Sequence, residues 1–254
     1  MKYYSELAKM QCFTKTDLQK IVGNTNTTGS ILKQYQKKNY IKQIKRNLYA
    51  TISLETDELI ATRYKIANTI TENAYLSHHT AFEYYGCANQ VFNTVYVSGK
   101  TRFTTFKFDD IDYKYLYPRL TVGIVKNPDG IRVTDMERTT LDSINDFEKI
   151  AGLEEVLQCL ELIPYIEENK LLEYLKLYNK HFLYQKTGYI LSQLKNPLRL
   201  SDNFFDKCKH HIGQSVRYLH KDFISTESSE VVFDKHWQLF VPKKLMMIVG
   251  VENW

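Results

Sequence analysis

Cysteine, proline and glycine are all scarce in this 254-residue chain, at four, five and ten residues. Cys12, Cys87, Cys159 and Cys208 stand far apart and form no C-x-x-C pair. That removes zinc-ribbon and dithiol redox motifs and leaves buried free thiols in a reducing compartment as the expectation. With so little glycine and proline, and no Ser/Gly-rich or repetitive tract, long disordered stretches are not expected. The phosphate-cradling glycine loop, the dinucleotide fingerprint and the nucleophile elbow are all missing. The start, Met1-Lys2-Tyr3-Tyr4-Ser5-Glu6, has no apolar signal-peptide core. The longest late apolar run, Leu245-Met246-Met247-Ile248-Val249, has the length of a strand and not of a membrane span. A cytoplasmic protein without a membrane partner is expected.

The most informative absence concerns one sign of charge. No acid occurs between Asp17 and Glu55, and the first 50 residues hold ten Lys and Arg against Glu6 and Asp17, a balance of 10 − 2 = +8. The other 204 residues carry 24 basic and 27 acidic side chains. Charge segregated onto one small segment is the footprint of a nucleic-acid-reading head on an ordinary body.

Local patterns give that head a shape. Tyr4, Leu7 and Ala8 recur at helical spacing. Thr14-Lys15-Thr16-Asp17 is a capping box opening a second helix, with Leu18, Ile21 and Val22 inward and Gly23 as its C-cap. A third helix is expected over 27–38, N-capped from among Asn26, Thr27 and Thr28, with Ile31, Leu32 and Tyr35 on its inner face. Two β-prone runs around the basic turn Lys45-Arg46-Asn47 read as a hairpin. Three helices and a hairpin make a winged helix-turn-helix. On that reading Thr27, Thr28, Ser30, Lys33, Gln34 and Lys37 face base edges in the major groove, while Lys38, Lys42, Lys45 and Arg46 hold phosphate.

Several tracts of the chain resemble the AbiE-type abortive-infection antitoxins, whose winged helix precedes a larger domain. They are Thr14-Lys-Thr-Asp-Leu18, Ser30-Ile-Leu-Lys33, Lys37-Lys-Asn-Tyr-Ile41 and Lys45-Arg-Asn-Leu-Tyr-Ala50. Downstream come Ala74-Tyr-Leu-Ser-His-His-Thr-Ala-Phe-Glu-Tyr-Tyr-Gly86 and Val133-Thr-Asp-Met-Glu-Arg-Thr-Thr-Leu-Asp142. The likeness spans about residues 5 to 145 and weakens through the C-terminal third. Where the family places glycine after the recognition helix and at the wing turn, this chain has Asn39 and Asn47, the residue type that best tolerates positive φ after glycine. The resemblance implies an operon in which the antitoxin represses its own promoter at inverted repeats in double-stranded DNA. Its C-terminal domain would counter a nucleotidyltransferase-like toxin without a stable complex. The motif residues Ser77, Thr80, Asp135, Glu137 and Arg138 are then candidates for an antitoxic surface.

The remainder reads as α+β. A head over 1–54 is followed by a body over 55–254, which begins with a connecting helix over 55–72. Ser77 could cap the next helix. Alternating runs between Val91 and Arg132 suggest an antiparallel meander, and Thr134-Asp-Met-Glu137 a second capping box. Helices follow through Cys208, one of them capped by Ser201, and two strand-like tracts lie at Val231–Phe233 and Trp237–Val241. His78, His79 and Glu83 supply too few groups at fixed spacing for a metal site, so neither a metal nor a cofactor is expected. Asp135 and Glu137 could hold Mg²⁺ in a nuclease, but a capping role with Arg138–Asp142 as an i,i+4 pair accounts for the same residues, so no enzyme is expected. Lys207, Lys209, Arg217 and Lys221 form a sparser basic stretch that could extend a DNA footprint. A small-molecule-responsive regulator is the alternative function, and a Mg²⁺-dependent nuclease the more distant one.

Overall fold

The computed structural model describes residues 2–150, 152–220 and 231–243. The chain is α+β and falls into two compact units, built from Met1–Leu76, Phe92–Pro118 and Ile124–Val133 in one and Ser77–Val91, Arg119–Gly123 and Thr134–Trp254 in the other. The boundary expected at 54/55 is not one of theirs. The head shares its unit with a sheet whose strands come from much later in the chain.

The head runs α1 (Tyr4–Met10), β1 (Cys12–Thr14), α2 (Lys15–Val22), α3 (Thr25–Lys37), β2 (Ile41–Lys45) and β3 (Leu48–Thr51). Thr14 and Asp17 form the expected capping box on α2, and Gly23 closes that helix at φ 78°. Asn24, not a later residue, caps α3: its side chain accepts from the Thr27 N–H, so the helix starts two residues earlier than expected. β1 was not anticipated. It pairs antiparallel with β3, which also pairs with β2, giving the order β1-β3-β2. Leu7, Phe13, Leu18, Leu32, Tyr35, Ile41 and Tyr49 form the buried core beneath. Each such aliphatic side chain contributes on the order of 1.5–3 kcal/mol by leaving water.

The expected 55–72 helix shortens to α4 (Arg63–Thr69), capped by Thr62, because residues 52–59 turn back through a bridge between Ile52 and Leu59. The second sheet of this unit contains β4 (Tyr75–Leu76), β5 (Thr94–Ser98), β6 (Phe106–Phe108), β7 (Ile111–Tyr115), β8 (Ile124–Lys126) and β9 (Arg132–Thr134). Its order is β6-β7-β5-β4-β9-β8, with β5/β7 and β4/β9 parallel, so the expected meander is a mixed sheet. Alternation shows which residues face which way, but not the direction of a strand's neighbour.

The other unit is mainly helical: α5 (His78–Tyr84), α6 (Met136–Asp146), α7 (Leu153–Glu161), α8 (Glu168–Tyr178), α9 (His181–Gln193) and α10 (Asp202–Lys209). Ser201 caps α10 as expected. A small sheet joins β10 (Arg217–Tyr218), β11 (Val231–Asp234) and β12 (Leu239–Pro242) in the order β10-β12-β11. The apolar run Leu245–Val249 lies outside the described residues, as does Lys221.

All four cysteines are buried and free. No helix among the described residues is long and apolar enough to cross a membrane.

Trp237 packs face-on against α9 at Gly188, where an added Cβ would fall 2.0 Å from a ring carbon. Gly188→Ala gains up to about 1 kcal/mol of helix propensity, yet the collision should make the net change a loss of about 1–3 kcal/mol in chemical denaturation. Unchanged or increased stability would show that the indole does not sit there.

Candidate nucleic-acid interface

α2 and α3 pack together around the sharp turn at Gly23 and Asn24, which leaves one side of α3 turned to solvent. Thr27, Ser30, Gln34 and Lys37 follow one another at i, i+3, i+7 and i+10, with Lys33 beside them, and all are exposed. Helical geometry places these residues in one stripe. The opposite stripe, Thr28, Leu32 and Tyr35, is buried. Thr28 therefore leaves the expected base-reading set: it is fully covered and its hydroxyl donates to the Asn24 carbonyl at 2.7 Å. Ser30 donates to the Asn26 carbonyl at 3.2 Å but stays exposed.

Beyond α3, Lys38 is exposed at the C-cap and Asn39 turns the chain at φ 56°. Tyr40 N–H then donates to the Tyr35 carbonyl at 2.9 Å, fixing where β2 leaves the helix. The β2–β3 turn places Arg46 in solvent, with Asn47 at φ 66°. Both asparagines occupy the left-handed conformation anticipated for them. Gln36 Nε2 donates to Gln43 Oε1 at 3.3 Å, tying helix to wing.

Lys42 and Lys45 behave differently from the expectation. Each rests on the β6–β7 hairpin of the same unit. Lys42 Nζ lies 3.2 Å from Asp109 Oδ1 and 5.1 Å from the Phe108 ring centre. Lys45 lies over Phe106 at 4.6 Å and Phe103 at 5.3 Å, and this partial burial lowers its pKa. The hairpin tip is acidic, with Asp110 paired to Lys107 at 3.0 Å. Among the described residues no acid pairs with Lys33, Lys37, Lys38 or Arg46, so the cationic face available to a polyanion consists of those four.

The residues marked for an antitoxic surface are all buried. Ser77 and Thr80 are fully covered; Ser77 makes no cap bond on α5, and its hydroxyl instead meets His78 Nδ1 at 2.8 Å. Asp135, not Thr134, caps α6 by accepting from the Arg138 N–H at 2.9 Å, while Thr134 pairs with Thr139 at 2.7 Å. Glu137 does not close a capping box. It accepts from the Glu167 N–H at 3.0 Å and, like Asp135, pairs with Lys170 at 3.1 Å. Burial alone would lower the Lys170 pKa, but those two carboxylates raise it. Tyr174 donates to Asp135 at 2.7 Å, so the acids of the nuclease reading are fully engaged by protein groups.

Arg138 is fully buried. It donates from Nε to Asp142 at 2.7 Å, from Nη1 to the Val122 carbonyl at 2.6 Å and from Nη2 to the Leu120 carbonyl at 3.0 Å. Tyr178 donates to the other Asp142 oxygen. The motif thus stitches residues 119–123 and α8 to α6. Gly123 makes the close approach possible: at φ 70°, its missing Cβ would stand 2.7 Å from the Tyr174 hydroxyl. In the second basic stretch, Arg217 stacks over Phe182 at 5.4 Å and Lys209 reaches Asp206 at 4.0 Å.

No protein-family model matches the chain. No curated protein matches it either. Among solved structures it is similar to the crystal structure of the RV2827C protein from Mycobacterium tuberculosis, at 12% identity and a TM-score of 0.64, covering 97% of this chain and 91% of that one. At such low identity the likeness shows a shared fold and nothing further.

Proposed function

We propose that the chain is a double-stranded-DNA-binding autorepressor that also serves as the antitoxin of a toxin–antitoxin operon. One observation carries the DNA-binding part: the exposed stripe of α3 is wholly polar or cationic, lies in a window without a single acid, and stands on a helix–turn–helix–hairpin scaffold. Thr27, Ser30, Lys33, Gln34 and Lys37 read base edges, and Lys38 and Arg46 hold phosphates on either side. The element order, with a three-stranded sheet behind α3, supports reading the head as a winged helix-turn-helix. Its operator is an inverted repeat upstream of its own gene, reached in the cytoplasm. The antitoxin part rests on the sequence resemblance alone, and opposes a nucleotidyltransferase-like toxin without a stable complex. Because the shared motif residues are buried, their part in it is to build the domain, not to touch the toxin.

The test is fluorescence anisotropy of the full chain on a labelled fragment from upstream of its gene, against a scrambled duplex. Tighter, salt-sensitive binding to the first supports the reading, and equal, weak affinity for both overturns it. Gln34→Ala should reduce discrimination at one or two base pairs by about 1–3 kcal/mol each while leaving non-specific affinity unchanged. An unaltered preference across a mutated-operator panel would remove Gln34 from the reading set. For antitoxicity, co-expression with the adjacent toxin reading frame should relieve growth arrest, and persistent arrest would count against it.

A further inference from the structure

The stripe of α9 that carries Leu183 and Ile190 into the core of the helical unit also carries Lys186, which is only 5% exposed. Its ammonium lies 4.3 Å from the centre of the Phe147 ring and 4.8 Å from that of Phe182, one turn earlier on the same helix. Among the described residues no hydrogen bond or ion pair engages it. Ring faces offset part of the cost of burying an ammonium, but a buried charge is ordinarily paired. The two acids near enough to act on Lys186 are held by other groups. Asp146 lies 2.7 Å from Lys149 Nζ and 3.6 Å from His78 Nε2, and Glu148 lies 3.6 Å from His220 Nε2.

Further positive charge gathers here from distant parts of the chain. Arg217, on β10, shares the Phe182 ring at 5.4 Å. Lys180 is the N-cap of α9, and burial followed by the charge of Arg119 lowers its pKa. Burial is also the main cause lowering the Lys186 pKa, with Glu148 and Asp146 opposing it and Lys149 and Lys180 adding to it. Among the described residues no acid pairs with Arg119, Lys180, Lys186 or Arg217. Like charges brought together, one of them inside an aromatic surround, weaken the fold, and an anion seated among them removes that cost. The first turn of α9 has no side-chain cap and adds the positive end of a helix dipole to the same place.

We propose that Lys186 binds the terminal phosphate of an oligophosphate, and that Lys180, Arg119 and Arg217 hold the phosphates that follow. Phe182, only half-buried, is the wall that turns to admit the phosphoryl group. One sunken ammonium and three outer cations match a short phosphate chain better than a duplex, whose phosphates run along a rod and cannot enter between two rings. The recognised part is the phosphate chain itself, whether it belongs to a nucleotide or is inorganic. The site lies in the helical unit and is independent of the DNA reading.

Calorimetric titration of the full chain with inorganic triphosphate, at one fixed salt concentration and without Mg²⁺, tests it. One site per chain should appear, with orthophosphate at least about 10-fold weaker, ATP within a few-fold, and no binding of adenosine. Lys186→Met should weaken triphosphate by at least about 10-fold, and should raise the thermal midpoint of the ligand-free protein by a few degrees, because it removes an unpaired buried ammonium. A merely structural lysine would move the midpoint the other way. Arg217→Ala changes an exposed side chain and should weaken binding about 10-fold, which keeps the site testable should Lys186→Met fail to fold. Lys38→Ala with Arg46→Ala should bind triphosphate as wild type does. Wild-type affinity in both Lys186→Met and Arg217→Ala, or loss of binding in the head variant, overturns the proposal. Binding of ATP without inorganic triphosphate overturns the phosphate-chain assignment. Tight binding of single-stranded RNA with none of triphosphate overturns it too, and makes the patch a polynucleotide surface.

Discussion

Arg138→Met should destabilise the protein by about 3–5 kcal/mol, the cost of removing one partner from a buried ion pair. Methionine keeps much of the volume but none of the five donors. Asp142 would keep Tyr178 but lose the guanidinium, and the Leu120 and Val122 carbonyls would lose their donors. Burial already raises the Asp142 pKa, with His78 and Arg138 pulling it back. Without the arginine it rises further. A carboxyl whose folded pKa exceeds its unfolded value stabilises the fold below the unfolded value and loses that contribution as pH rises through the folded one. The gap between variant and wild type should therefore be widest at neutral pH and narrow toward pH 4. Urea unfolding at the two pH values measures it. Arg138→Met with Asp142→Asn should recover much of the neutral-pH loss, because no uncompensated charge is left behind. If the double variant is as unstable as the single, the arginine acts through the 120–122 carbonyls and not through the carboxylate. A loss under about 1 kcal/mol would place the pair among surface salt bridges and contradict its burial.

That residue also shows where reading the sequence stopped short. Arg138–Asp142 is legible as an i,i+4 pair, and the pair is there. Its burial was equally legible, since Arg138 lies three residues before Leu141 on the stripe that faces inward. Charge suggested solvent and periodicity suggested core, and the guanidinium's partners made the core affordable. Thr28 repeats the lesson: it precedes Leu32 by four and Tyr35 by seven, so the helix phase alone puts it inside. Local rules served well at most positions whose partner is three or four residues away, the expected Thr134–Glu137 box and Ser77 cap being the exceptions. The Thr14–Asp17 box, the Gly23 cap, the left-handed Asn39 and Asn47, and the Ser201 cap all follow from such rules. Long-range pairing did not follow. Nothing near β2 says that Lys42 and Lys45 meet Asp109, Phe103 and Phe106, some sixty residues on, and nothing near β5 says that β7 runs parallel to it. The contact of His79 with Glu155 was out of reach for the same reason, because its second helix lies more than seventy residues away.

The corrected geometry sharpens what should happen on DNA. Lys37, Lys38 and Arg46 are exposed, and among the described residues no acid pairs with them, so their joint replacement by alanine should leave folding within about 0.5 kcal/mol of wild type. If Lys38 and Arg46 each hold one phosphate while Lys37 reads a base edge, the slope of log affinity against log salt should become shallower by roughly 1.8, and affinity near 0.1 M salt should fall on the order of 10²-fold on a scrambled duplex and further on the specific one. Lys42→Ala should cost less, since Lys42 must leave Asp109 before it can reach a phosphate. The reverse follows for the acid. Asp109→Asn removes a negative charge from the edge of the cationic face and releases Lys42, so binding should tighten a few-fold, with a slightly steeper salt slope. Anisotropy titrations at four or five salt concentrations separate these outcomes. A triple variant with the wild-type slope would mean that the phosphates are held elsewhere, and an Asp109→Asn variant that binds no better would mean that the hairpin moves aside on its own when DNA arrives.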